Sequence, residues 1–176
     1  MKENVDPPAK VVTVKRILVP IDRSEYKEKI VGYAISLSKA WKAEMTVIHV
    51  LESRHALLDG GETETKEQTR VDESRRQAEN LLDEVSILVK NQGMNINVKA
   101  IQLPDFLIWK KGLNIKGQAL GESGIFGEAI IDYAKNNNTD VIVIGTKGMS
   151  AVEEYFFGSV ANKVIHEAHC PVFAIR

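Results

Sequence analysis

A regular alternation of two hydrophobic periods most restricts what this chain can fold into. Short, nearly continuous apolar runs occur at Ile17-Leu18-Val19, from Met45 to Leu51, from Val141 to Ile144 and from Val172 to Ile175. Runs of this length and β-branched content suit strands covered on both faces. Between them lie segments with helical spacing. Ile30, Ala34, Leu37 and Trp41 define the first, from Glu25 to Trp41. Val71, Ala78, Leu81, Leu82, Val85, Leu88 and Val89 outline a longer one, which Gly93 closes in the C′ role. After Gly124, Phe126, Ile130, Tyr133 and Ala134 mark a third, and Val160, Val164, Ile165 and Ala168 fall on one side of a last helix. Strands alternating with helices predict an α/β fold, a mostly parallel sheet with helices on both faces.

Some local signals are less regular. The first strand lies within Val11 to Pro20, and Ser24 is a natural N-cap for the helix after it. Glu52 to Thr69 is polar around Gly60-Gly61 and reads as a loop. Asn95 to Leu103 and Leu113 to Leu120 both read as strands, joined by Pro104 to Lys111 with Phe106 and Trp109. Either one of the two is an insertion, or the pair is a hairpin.

At 176 residues, the chain suits one domain that buries its core without disulfides or metals. Residues 1–10 read as a flexible polar leader and 11–176 as the domain, with an extra segment near 104–122. A net charge of −1 gives no field for nucleic acid, and no apolar run reaches the roughly 20 residues that span a bilayer. The single cysteine, Cys170, and the lack of an apolar signal core predict a cytoplasmic protein.

Open parallel sheets bind ligands beyond the carboxyl ends of strands, where strand order reverses. Here that selects the positions after Val19, Val50 and Ile144. The last is the richest: Gly145-Thr146-Lys147-Gly148, nine residues, then Gly158-Ser159 at the start of a helix. Glycines permit tight turns and close backbone approach, and a helix N-terminus favours phosphate. The same glycines could equally serve turns alone. The pattern is neither a P-loop nor GxGxxG.

Taken together, Ile17-Leu18-Val19-Pro20-Ile21-Asp22-Arg23-Ser24, the glycine segment continuing to Val160, and Cys170-Pro171-Val172-Phe173-Ala174-Ile175-Arg176 resemble the universal stress protein family. The resemblance implies an open, twisted, Rossmann-like five-stranded sheet of order 3-2-1-4-5. It implies ATP as the ligand, with Mg or Mn held by its phosphates. Asp22 would then hydrogen-bond the ribose, Pro20 and Ile21 would flank the nucleoside, and Val50 would line the adenine pocket. Gly145, Gly148, Gly158, Ser159 and Val160 would surround the phosphates. The resemblance also implies a homodimer through Val172 to Ile175. Met149 stands where a basic residue is common, so Lys147 becomes the candidate cation, while Glu153 and Glu154 add negative charge nearby. Arg23 replaces a common glycine.

Three functions follow: a nucleotide-binding regulatory or stress-response protein, a homodimeric interaction module without nucleotide, and an ATP-using enzyme whose second pocket would involve Phe106 to Leu120. No set of residues supplies an activated nucleophile with a positioned base, so slow ATP hydrolysis is the most chemistry expected. His166, His169 and Cys170 lack a convincing fourth ligand for zinc. His49 reads as a core histidine with a satisfied ring, and Cys170 as a small buried apolar residue.

Overall fold

The computed structural model describes residues 11–51, 64–94, 96–102, 122–147 and 157–176. Five strands are present: β1 (Arg16–Pro20), β2 (Glu44–Leu51), β3 (Asn97–Gln102), β4 (Val141–Gly145) and β5 (Val172–Ile175). Among the described residues four helices join the alternation: α1 (Lys27–Trp41), α2 (Glu64–Lys90), α3 (Glu122–Asn136) and α4 (Ser159–Glu167). The sheet order is β3-β2-β1-β4-β5 and every ladder is parallel.

The strand runs are continuous because both faces are covered. Ile17, Val19, Met45, Val47, Val141 and Val143 pack with α1 and α2 through Ile30, Val31, Ala34, Leu81, Leu82 and Val85. Leu18, Ile48, Ile142 and Ile144 point the other way, onto Ile130 and Ala134 of α3 and Ala161 and Val164 of α4. The period of two therefore sends alternate residues of each strand into different helical layers.

Several boundaries differ from expectation. Val11 and Val12 lie outside β1 and are 89% and 80% exposed. α2 begins at Glu64, inside the stretch that polarity marks as loop. Its first turns are rich in Glu, Lys, Gln and Arg, good helix formers that need no apolar face. Ser24 does not cap α1. Tyr26 holds the N-cap position without a side-chain bond, because Ser24 belongs to a turn in which Lys27 N–H reaches Ser24 O at 3.4 Å. On α4 the core stripe is Ala161 and Val164, with Val160 and Ala168 beside it, while Ile165 is 36% exposed. At 100° per residue Ile165 falls on the flank of that stripe. Gly93, at φ +72°, does close α2: its N–H donates to Lys90 O at 2.9 Å and Met94 N–H to Val89 O at 3.3 Å. This is the paired bonding of a Schellman cap. The stretch 103–121, including Phe106, Trp109 and Leu113 to Leu120, lies outside the described residues, as do 1–10 and Gly60-Gly61.

Two contacts fix how the layers meet. A Cβ on Gly145 would lie 2.5 Å from Cδ1 and 3.3 Å from Cγ1 of Ile30, so a larger residue at the end of β4 would force that buried side chain of α1 to shift. At the opposite end, Asp140 Oδ2 accepts the N–H groups of Lys15 and Arg16, both at 2.8 Å, and staples β4 to the start of β1. Gly145→Ala is expected to destabilise the fold by about 1–3 kcal/mol through overpacking. Adding Ile30→Val, which removes Cδ1, should recover most of that loss, as read from denaturant midpoints in a double-mutant cycle.

Candidate functional site

Strand order reverses at β1, because the chain moves from β1 to β2 and β3 on one side and to β4 and β5 on the other. The ladders on its two sides are unequal. β1 pairs with β2 along its whole length, from Arg16↔Glu44 to Pro20↔Ile48, but with β4 only at Ile17↔Val141 and Leu18↔Ile142. Beyond Leu18 the paired register with β4 stops, and the crevice of an open parallel sheet begins there. Pro20 suits this position because it brings no N–H to satisfy.

The first wall is the turn after β1. Ile21 is buried and its N–H donates to Ile48 O at 2.9 Å. Half-buried Asp22 accepts the Ser24 N–H on Oδ1 at 3.0 Å. The carboxylate is thus oriented by its own turn, and Oδ2 has no partner among the described residues. Arg23 is exposed and its guanidinium donates to Gln77 Oε1 on α2. Ser24 is buried, with an Oγ that has no partner among the described residues.

The second wall is the end of β2. Val50 is half-buried and packs on Ile125 and Ala129 of α3. His49 is half-buried and its Nδ1 lies 2.9 Å from Ile21 O, so one ring nitrogen is partnered.

The third wall joins β4 to α4, and its key residue, Thr146, escaped the sequence reading. Thr146 is 6% exposed; its N–H donates to Ile175 O at 2.8 Å and its carbonyl accepts the Gly158 N–H at 2.7 Å. Through these bonds the start of α4 is drawn to the end of β4. The only advance signal was a β-branched hydroxyl residue among glycines. Gly158 is the N-cap of α4 with φ −56° and ψ 149°, and its carbonyl accepts the Asn162 N–H at 2.9 Å. Its own N–H is committed to Thr146, leaving the N–H groups of Ser159, Val160 and Ala161 without intrahelical acceptors. Lys147 is half-buried. Gly148, Met149, Glu153 and Glu154 lie outside the described residues. A Cβ on Gly145 would meet the Ile30 side chain, so helix packing by itself gives this position a reason to be glycine.

The matched family model is the universal stress protein family, over residues 13–176. The chain belongs to the universal stress protein family. Among family members, YxiE of Bacillus subtilis is 29% identical over 161 residues, covering 92% of this chain and 98% of its own. A universal stress protein of Methanocaldococcus jannaschii is 28% identical over 163 residues, covering 92% and 82%. Of solved structures, universal stress protein UspA from Lactobacillus plantarum superposes with a TM-score of 0.70 at 20% identity, covering 94% of this chain and all of that one. A universal stress protein from Archaeoglobus fulgidus in complex with dAMP gives 0.57 at 20% identity, covering 94% and 100%. Another in complex with cAMP gives 0.62 at 17% identity, covering 94% and 99%. These likenesses establish the family fold.

The remaining flagged side chains lie away from the crevice. His166 and His169 are exposed near the end of α4, and among the described residues no group of three or more His, Cys, Asp or Glu is placed to hold a metal. Cys170 is half-buried and packs against the Leu18 and Ile142 layer. Burial pushes its thiol up, and the nearby Asp140 carboxylate adds to the rise. Two outcomes are expected. Iodoacetamide at pH 8 should alkylate folded protein roughly fivefold or more slowly than the urea-unfolded chain, because the thiolate is the nucleophile. Stability should also fall as pH rises past the ordinary thiol range near about 8.5, since the unfolded thiol loses its proton first.

Proposed function

We propose that this universal stress protein binds an adenine nucleotide, ATP with Mg or Mn in the first instance, and works as a regulatory or stress-response module. The observation that carries the reading is that three elements lie at the carboxyl end of the sheet, where β1 and β4 part: the Pro20–Asp22 turn, the end of β2 near Val50, and the α4 N-terminus held by Thr146. Asp22 Oδ2 is available to accept ribose hydroxyls, and Pro20 and Ile21 flank the nucleoside. Val50 lines the base pocket. Ser159 and Val160 offer N–H groups, Ser159 a hydroxyl and Lys147 a charge to phosphate, with Gly145 and Gly158 on the same rim; Gly148, outside the described residues, is assigned to the phosphates on its place in the motif alone. Two fold relatives, in complex with dAMP and with cAMP, support an adenine nucleotide as the class. Among the described residues, none at the crevice is paired as nucleophile and base, and the chemistry proposed is binding with at most slow ATP hydrolysis.

Mg-ATP at about a hundred times its Kd should stabilise the fold by about 2.7 kcal/mol. For a chain of this size that raises Tm by roughly 5–10 °C. Asp22→Ala should weaken the Kd about tenfold, the worth of hydrogen bonds to a charged group. Gly158→Val should abolish the shift while leaving the unliganded Tm within a few degrees. Its φ and ψ are open to any residue and its N–H bond to Thr146 is retained, yet the new side chain blocks backbone approach. A flat melting temperature up to millimolar Mg-ATP would sink the nucleotide reading.

A second reading, a homodimeric interaction module without nucleotide, draws on β5. This strand is at the sheet edge, with Ala174 exposed and Phe173 39% exposed. Trp41 of α1 meets Phe173 edge-on at 5.8 Å, extending the apolar surface beside the edge. Unpaired edges invite pairing with another chain. Native mass spectrometry of freshly purified protein should give a dimer that Phe173→Lys converts to monomer. Retained ATP in the same spectrum would exclude the nucleotide-free version.

A further inference from the structure

The imidazole of His49 sits on the rung where β1 and β2 cease to pair. Side chains alternate along β2, so Val47 faces α1 and α2 while Ile48 faces α3 and α4. The last register pair is Pro20↔Ile48, and one further backbone bond follows, from Ile21 N–H to Ile48 O at 2.9 Å. In a parallel ladder the Ile21 carbonyl would next accept from the N–H of Val50. Here it accepts from His49 Nδ1 at 2.9 Å. The ring has taken the acceptor on which another rung would form. Directly after that carbonyl the chain turns, and Asp22 Oδ1 receives the Ser24 N–H at 3.0 Å.

We propose that His49 is a positioning residue of the crevice: its Nδ1–H ends the β1–β2 ladder at Ile21 and so holds Asp22 at the mouth beside Val50. A carbonyl can only accept, so the neutral ring carries its proton on Nδ1. The structural half of the proposal concerns the ligand-free protein. Its functional half, tighter nucleotide binding, rests on the nucleotide reading above.

The test uses full-length, 15N-labelled protein and two variants. Asn places an amide N–H as many bonds from Cα as Nδ1, whereas Leu fills similar space without a donor. Without ligand, long-range 1H–15N spectra should show the His49 proton on Nδ1. Ser24 amide exchange should quicken about tenfold in His49→Leu and stay within about threefold of wild type in His49→Asn, as expected when one hydrogen bond is lost or kept. Titration with Mg-ATP should give about a tenfold weaker Kd for His49→Leu and near-recovery for His49→Asn. A proton on Nε2, unchanged Ser24 exchange in His49→Leu, or failure of His49→Asn to restore protection would each overturn the proposal. If wild type shows no heat with Mg-ATP, the nucleotide reading fails and the exchange and tautomer results decide the proposal alone. If His49→Leu does not fold, the wild-type tautomer and the Asn variant decide it.

Discussion

Everything in this sheet is referred to β1, whose backbone must be satisfied from both sides within five residues. Ile17, Leu18 and Val19 are almost wholly buried, so their peptide groups have no recourse to water. On the β2 side the ladder runs the full length of the strand. On the β4 side it covers two residues, and the Asp140 carboxylate supplies acceptors for the N–H groups just before them. Tight pairing at the amino end and early parting at the carboxyl end come from the same short strand. The crevice is therefore a by-product of how β1 meets its hydrogen-bonding needs.

How well the sequence disclosed this depends on the range of the interaction concerned. The strands were legible because burial on both faces writes them as contiguous apolar runs, and Ile17-Leu18-Val19 or Val141 to Ile144 allow little else. The order 3-2-1-4-5 came from resemblance, since no residue pattern states which strands adjoin. Helix starts were harder. α2 opens on propensity before any apolar periodicity begins, and Ser24 looked like a cap until the Asp22 turn claimed its N–H.

Residues of the candidate site can be named from the sequence, but the bonds that position them cannot. Asp22, Val50 and Gly158 do converge on one end of the sheet. Thr146 went unnoticed because what it contributes is backbone, a donor to Ile175 and an acceptor for Gly158, and main-chain bonding leaves almost no mark on side-chain choice. His49 was read as satisfied, but periodicity gives no hint that its partner is Ile21, a residue on another strand.

The contact between Gly145 and Ile30 carries a lesson about heredity in such folds. These two positions are over a hundred residues apart in sequence, yet a side chain at one would claim space the other already fills. A change that enlarges residue 145 is therefore tied to one that trims residue 30. The first glycine of the loop thus has a reason to persist that lies in helix packing and is independent of any ligand.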